Sequence, residues 1–263
     1  MRRINIIRYH CVDSTNACMR GLAADGAESG TVVTAHRQSA GRGQRGNSWE
    51  AEPGKNLTFS ILLRPYRLPA NSQFTLSEAV AVSVAETIAE MLPPDAPEVE
   101  VKWPNDIYIG DKKICGILIE NTLSGKNISY SIIGIGINVN QTAFLSDAPN
   151  PASMIHFTGR DTDLEIMLEK VCDRILTRCE NLHDRRSAIH DTYLSRLWRR
   201  TGIFPFREPQ GEIFQASIKA ISDQGFLTLE LSSGEEKTYA FKEIEAVVQG
   251  TSNAAAGASK ESI

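Results

Sequence analysis

The sequence predicts an α+β chain that ends in a small all-β unit. Three observations carry this. Strand-like and helix-like stretches are interspersed over residues 1–200 without a regular alternation. One long helical stretch, residues 72–92, precedes a block of consecutive strands. From "TGIFPF" (201–206) to Val248 only short strands and turns remain, the pattern of a small β-barrel.

Each element has a local reason. "INIIRYH" and "TVVTAH" are short and rich in β-branched residues, so they read as strands. "DSTNACMRGLAADG" between them opens on Asp/Ser/Thr, continues in helix formers and stops at glycine, so it reads as a helix. "NLTFSILL" (56–63) reads as a buried strand. In 72–92, Val80, Val84, Ile88 and Leu92 recur on one helix face, and "PPDAP" ends it. "EVEVKW", "DIYI", "ICGILIENTL" and "ISYSIIGIGINVN" read as strands, the last two joined by "SGKN" as a hairpin turn. Residues 162–182 place Leu164, Leu168, Val171 and Ile175 on one face, and a second helix covers 187–199. The expected division is 1–200, then 201–250, then a small polar tail, 251–263, expected to be disordered.

Composition narrows the function. Hydrophobic residues make up 41% and charged residues 23% of the 263, an ordinary globular balance that supports a full core. With 28 Lys+Arg against 32 Asp+Glu the net charge is −4, against a general nucleic-acid binder. No stretch reaches the roughly 18 apolar residues of a membrane span, and "MRRINIIRYHCVDS" lacks a secretory signal's apolar run. The five cysteines form no CxxC pair, and free thiols in a reducing cytoplasm are expected.

The most informative stretch is "AGRGQRGNSWE" (40–50). Gly41, Gly43 and Gly46 match the dinucleotide-binding pattern G-x-G-x-x-G. That fingerprint must open directly into a helix, and here "NSWEAEPGKN" leads into another strand. Two readings remain. The stretch is a surface turn with solvated arginines, or a loop for an anion. In the second, glycines expose backbone N–H groups, Arg42 and Arg45 pair with carboxylate or phosphate oxygens, and Trp49 offers a flat face to an aromatic ring.

Three further stretches bear on the choice. "KWPNDIYIGDKKICGILIE" (102–120) ends one strand, turns and starts another, placing Asn105 and Asp106 at a strand end and Lys113 just past a turn. "STN" (14–16) puts three small polar groups at a helix start, where Ser14 could simply cap the helix. "GIGIN" (134–138) permits close backbone approach, or holds plain bulge glycines. Cys115 reads as a small buried strand residue rather than a nucleophile. None of the five histidines falls in a metal or triad pattern.

In this order, "STN", "QSAGRGQRGNSW", "KWPNDIYIGDKKICGILIE" and "GIGINVN" closely resemble the biotin–protein ligases, over about Ile4 to Val248. The resemblance is to the ligase-only group, without an N-terminal DNA-binding domain. It implies a class II synthetase-like catalytic domain, a mixed sheet packed with helices, followed by an SH3-like β-barrel. It also implies a reaction. ATP activates biotin to biotinyl-5′-AMP, and biotin then passes to a lysine of a biotin carboxyl carrier domain. Mg²⁺ would accompany ATP, and the enzyme would be a cytoplasmic monomer or homodimer without nucleic-acid or membrane partners.

The residues implied are Ser14, Thr15, Asn16, Gln38, Gly41, Arg42, Lys113 and Gly116 for biotin. For ATP and AMP they are Arg42, Gly43, Arg45, Asn47, Trp49 and Asn138. Lys113, Arg42 and Asp106 would carry the chemistry, with Asp106 a possible metal contact. Gln44 and Asn47 depart from the common family loop, which has arginines there, so the division of labour within the loop stays open. The rivals are a lipoate–protein ligase, whose R-R-x-G-G-G-like stretch is missing here, and a non-catalytic ligand-binding or regulatory protein.

Overall fold

A computed structural model of the chain describes residues 4–43, 47–145 and 150–248. The larger part is a seven-stranded mixed sheet in the order β1-β2-β3-β7-β6-β5-β4. Its strands are β1 Asn5–Val12, β2 Thr31–Gln38, β3 Leu57–Leu63, β4 Val99–Lys102, β5 Asp106–Ile109, β6 Lys112–Ser124 and β7 Asn127–Ile137. Helix α1, Thr15–Ala24, crosses between β1 and β2, which makes that pair parallel; every other neighbouring pair in the sheet is antiparallel.

The helices behind the sheet are α2 Gln73–Met91, α4 Leu164–Arg178 and α5 Arg186–Ser195, with a single-turn α3 at Ile155–Thr158 that the sequence reading did not expect. Helix α2 departs from the one-faced helix that its spacing implied. Ala79, Val80, Ala81, Val82, Val84, Ala85 and Ile88 are all fully buried, because α4 and α5 cover the side that does not meet the sheet. Two buried hydroxyls on it bond back one turn, Ser83 Oγ to the Ala79 carbonyl (2.7 Å) and Thr87 Oγ1 to the Ser83 carbonyl (2.9 Å). Helix α4 is capped by Asp163, whose carboxylate accepts from the Glu165 and Ile166 amides. Its Leu168, Val171 and Ile175 are buried on the expected face.

A second sheet follows, with strands β8 Phe204–Arg207, β9 Ile213–Ile221, β10 Leu227–Leu231, β11 Glu236–Tyr239 and β12 Glu245–Ala246 in the order β11-β10-β9-β8-β12. Its Phe206, Ala216, Leu227 and Leu229 belong to the same continuous core as Val101, Ile107 and Tyr193. The expected tail, 251–263, lies outside the described residues. No helix of the described residues is long and apolar enough to cross a membrane. All five cysteines are free thiols.

Candidate active site

One cleft of about 710 Å³ gathers residues from six separate parts of the chain. Its floor is the face of β6 and β7; its walls are the start of α1, the glycine loop, the Pro104–Asp106 turn, and Phe241 and Lys242 from the second sheet. Of the sequence candidates, Ser14, Thr15, Asn16, Gln38, Arg42, Gly43, Asn47, Trp49, Asp106, Lys113 and Gly116 all line it.

The polar corner is built at the N-terminus of α1. Ser14 is the N-cap residue with extended backbone, yet its side chain makes no capping bond. Gln38 does that work instead: its Oε1 accepts from the Thr15 amide at 2.8 Å. The Ser14 hydroxyl is therefore not committed to the helix, which decides against the plain-cap reading. Next to it, Ser60 Oγ stands 2.8 Å from Thr15 Oγ1 and 2.6 Å from Asn16 Oδ1. Asn16 Nδ2 donates to Glu120 Oε2 at 2.8 Å, and Arg20 Nη2 donates to Glu120 Oε1 at 2.8 Å. The Asn16 side chain fits because residue 134 is glycine; a Cβ there would stand 2.3 Å from Asn16 Oδ1.

The charged end lies further back along β6. Lys113 Nζ donates to Asp106 Oδ2 at 2.6 Å, with both side chains about a quarter exposed (24% and 30%). The Lys113 backbone is pinned on both groups, its N–H to the Asn150 carbonyl and its carbonyl to the Ala152 N–H. Lys112, on the opposite face, is exposed. The turn that presents Asp106 is tied down by three bonds, the first buried and the others half-buried: Asn105 Nδ2 to Ser77 Oγ, the Tyr193 hydroxyl to the Pro104 carbonyl, and Trp103 Nε1 to the Gly225 carbonyl. Cys115 is fully buried and burial pushes its thiol pKa well up, which removes it as a nucleophile.

Between the two ends lies Trp49. Gly116 and Gly136 are paired across β6 and β7, and the indole rests on the bare patch they leave. A Cβ would come within 2.9 Å of the ring at Gly116 and 2.4 Å at Gly136. The glycines of "GIGIN" thus serve close approach: Gly134 to Asn16 and Gly136 to Trp49. The arms of the glycine loop run antiparallel, with Gly43 N–H on the Asn47 carbonyl (2.7 Å) and Trp49 N–H on the Gly41 carbonyl (3.0 Å). Gly41 lies against Trp49 and Gln38 without itself lining the cleft. Arg45, with Gln44 and Gly46, falls outside the described residues.

Asn138 is not brought into the cleft wall. It is buried just past the end of β7, and its Nδ2 donates to the Ala152 carbonyl at 3.2 Å, supporting the segment that holds the Lys113 backbone. Sequence reasoning missed Ser60, Glu120, Arg20 and Phe241. Glu120 closes the "KKICGILIE" motif and was visible as its last residue. Ser60 sits unmarked within an apolar strand, and nothing local distinguishes Phe241.

The comparisons with known proteins agree with this geometry. A sequence model of the Biotin/lipoate A/B protein ligase family matches residues 9–138. The bifunctional ligase/repressor BirA of Bacillus spizizenii is 31% identical over 247 residues, which cover 89% of this chain and 72% of that protein. The biotin–[acetyl-CoA-carboxylase] ligase of Mycobacterium tuberculosis is 26% identical over 219 residues, covering 83% of this chain and 80% of the relative. Among solved structures, a biotin protein ligase from Aquifex aeolicus in complex with biotin and ATP superposes with a TM-score of 0.73 at 26% identity. That match covers 92% of this chain and 98% of the other. Fold and cleft together define a ligase of the biotin/lipoate class. Within it, this chain belongs to the biotin protein ligase family.

Proposed function

We propose that this biotin protein ligase holds biotin with its ureido ring in the Ser14–Asn16 corner and its carboxylate at Lys113, and forms biotinyl-5′-AMP between them. The carrying observation is that one cleft holds both a neutral polar corner, at the start of α1, and a cationic end, on β6. The corner lies at the paired Leu118 and Gly134, five residues along β6 from Lys113. At a strand rise of about 3.3 Å per residue this is roughly 17 Å, the span of a bicyclic head, an aliphatic chain and an α-phosphate. The Trp49 indole that rests on Gly116 and Gly136 between the two ends must lift away to admit the aliphatic chain.

The chemistry asks for charge neutralisation. A biotin carboxylate oxygen attacks the α-phosphorus of ATP, the bond to the β-phosphate oxygen breaks and pyrophosphate leaves. Two anions must meet, so Lys113 and Arg42 act by holding both. The amine of an acceptor lysine then attacks the acyl carbon and AMP departs. Positioning does most of the work. Trp49 offers its ring to adenine, and Gly41, Gly43, Asn47 and Arg45 belong to the loop that closes on the phosphate side. Asn138 serves the nucleotide indirectly, through the segment behind Lys113. Asp106 is the only carboxylate among the described cleft-lining residues. That fits a Mg²⁺ carried mainly by the ATP phosphates and water rather than by a protein cage.

The acceptor is the biotin carboxyl carrier domain of a biotin-dependent carboxylase. We assign residues 1–200 to catalysis and 201–250 to a C-terminal β domain. A cytoplasmic site of action suits the five free thiols, and the acidic balance weighs against a nucleic-acid partner.

Pyrophosphate release with biotin and ATP tests the reading directly. Biotin should support it and lipoate should not. Lys113→Ala should lose most adenylate formation while remaining folded, and Lys112→Ala should do little. Equal losses from both lysines, or equal turnover of lipoate, would overturn the assignment.

A further inference from the structure

The polar corner is a chain of hydrogen bonds with a direction, and Glu120 sets that direction. A glutamate carboxylate offers only acceptors, so Asn16 turns its Nδ2 toward Glu120 and its Oδ1 toward Ser60. Asn16 Oδ1 cannot donate. The single Ser60 proton therefore goes to it, across 2.6 Å. Ser60 is fully buried and has no second proton for Thr15. The angles of the 2.8 Å contact between the two hydroxyls would let Ser60 donate to Thr15, but with its one proton spent on Asn16 the donation runs from Thr15 to Ser60. Thr15 lines the cleft with its proton already engaged and only lone pairs left.

We propose that Glu120, which itself lies outside the cleft lining, is a specificity-determining positioning residue: through Asn16 and Ser60 it fixes Thr15 as a hydrogen-bond acceptor, selecting a ligand head that presents an N–H. This rests on the reading of the cleft as the biotin site. A ureido N–H meets that acceptor, whereas an ether-type oxygen in the same place meets lone pair against lone pair. Arg20 sharpens the device. Its guanidinium can only donate, and it holds the other Glu120 oxygen at 2.8 Å.

The substitution that reveals the role is Glu120→Gln. Arg20 then claims the amide carbonyl, so the new NH₂ group faces Asn16. Asn16 turns its carbonyl to meet it and presents NH₂ to Ser60. Ser60 directs its proton to Thr15, and the Thr15 proton becomes free to enter the cleft. Each side chain keeps its place and the polarity of the relay inverts.

The experiment compares biotin with two isosteric cyclic carbamates, each with one ureido N–H replaced by oxygen, by calorimetry on the full chain. The wild type should prefer biotin to the carbamate whose oxygen faces Thr15 by about 100-fold. Glu120→Gln should shrink that preference at least 10-fold, with ATP affinity unchanged. Ser60→Ala, which frees the Thr15 proton by removing its partner, should shrink it too, and carries the test if Glu120→Gln does not fold. A preference unchanged in the folded variants, with both ligands weakened by one common factor, makes Glu120 a structural support and overturns the proposal. Wild type that binds no biotin overturns the reading of the site instead.

Discussion

At the scale of single residues, the glycines on the cleft floor hold the clearest predictions. Gly134 and Gly136 lie two apart on β7 and face the same way, yet they serve different neighbours. Gly134→Ala drives a methyl group into Asn16 and should weaken biotin binding by ~10-fold or more, about 1.4 kcal/mol, with ATP binding spared. Gly136→Ala drives one into the Trp49 indole and should weaken nucleotide binding instead. Calorimetry on both variants with both ligands separates them, and an identical pattern would count against the two-ended cleft. Their presence was legible in "GIGIN", and their purpose was not. A glycine in a strand allows a bulge as readily as a close approach, and the choice depends on residues 16 and 49, far away in the chain. Ser14 repeats the lesson. A serine at a helix start reads as a cap until Gln38, 23 residues on from Thr15, takes the amide. Gln38→Ala should thus do two things at once: destabilise the fold by about 1 kcal/mol through the lost cap, and weaken biotin binding.

At the scale of elements, helix α2 was placed correctly but its surroundings were understated. Periodicity reports the apolar stripe a helix must bury; it is silent about small residues such as Ala81 and Ser83 that let a second layer pack closely. That second layer brings His190 of α5 to Glu78 of α2, Nδ1 to Oε1 at 2.6 Å, with Glu78 only 2% exposed. Burial outweighs the histidine and raises the Glu78 pKa to about 7. The folded protein then holds this proton more tightly than the unfolded chain. Its stabilising contribution is complete below the ordinary glutamate range near 4.5 and is lost as pH rises through about 7. Glu78→Gln should remove this slope. Between pH 5 and pH 8 the wild type should lose up to ~3 kcal/mol relative to the variant, read by urea unfolding at the two pH values. A difference that stays flat, or grows in the other direction, would show that the ion pair outweighs burial.

For the whole molecule, strand identities came from local pattern, but strand order did not. β7 sits between β3 and β6, and β4 lies at an edge, because pairing across the sheet is decided by which faces bury each other. The β-rich end was legible as a change in composition. Its partnership with the main sheet was not, since that depends on contacts such as Trp103 against Phe241, rings 5.8 Å apart and nearly perpendicular. The apolar core runs unbroken from α2 through Val101 to Leu229. The chain should accordingly unfold in one cooperative calorimetric transition, and two resolved transitions would contradict a shared core.

Phe241 and Lys242 complete the cleft from the second sheet, more than a hundred residues after Lys113 in the sequence. Translation therefore releases the Ser14–Asn16 corner first, the loop with Trp49 next, then Lys113, and the closing wall after all of them. A nascent chain halted before Phe241 carries most of the proposed chemical groups but no closed pocket in which to keep a reactive acyl-adenylate from water or from bystander amines. In the order of synthesis, the groups that would react come before the wall that would shelter them.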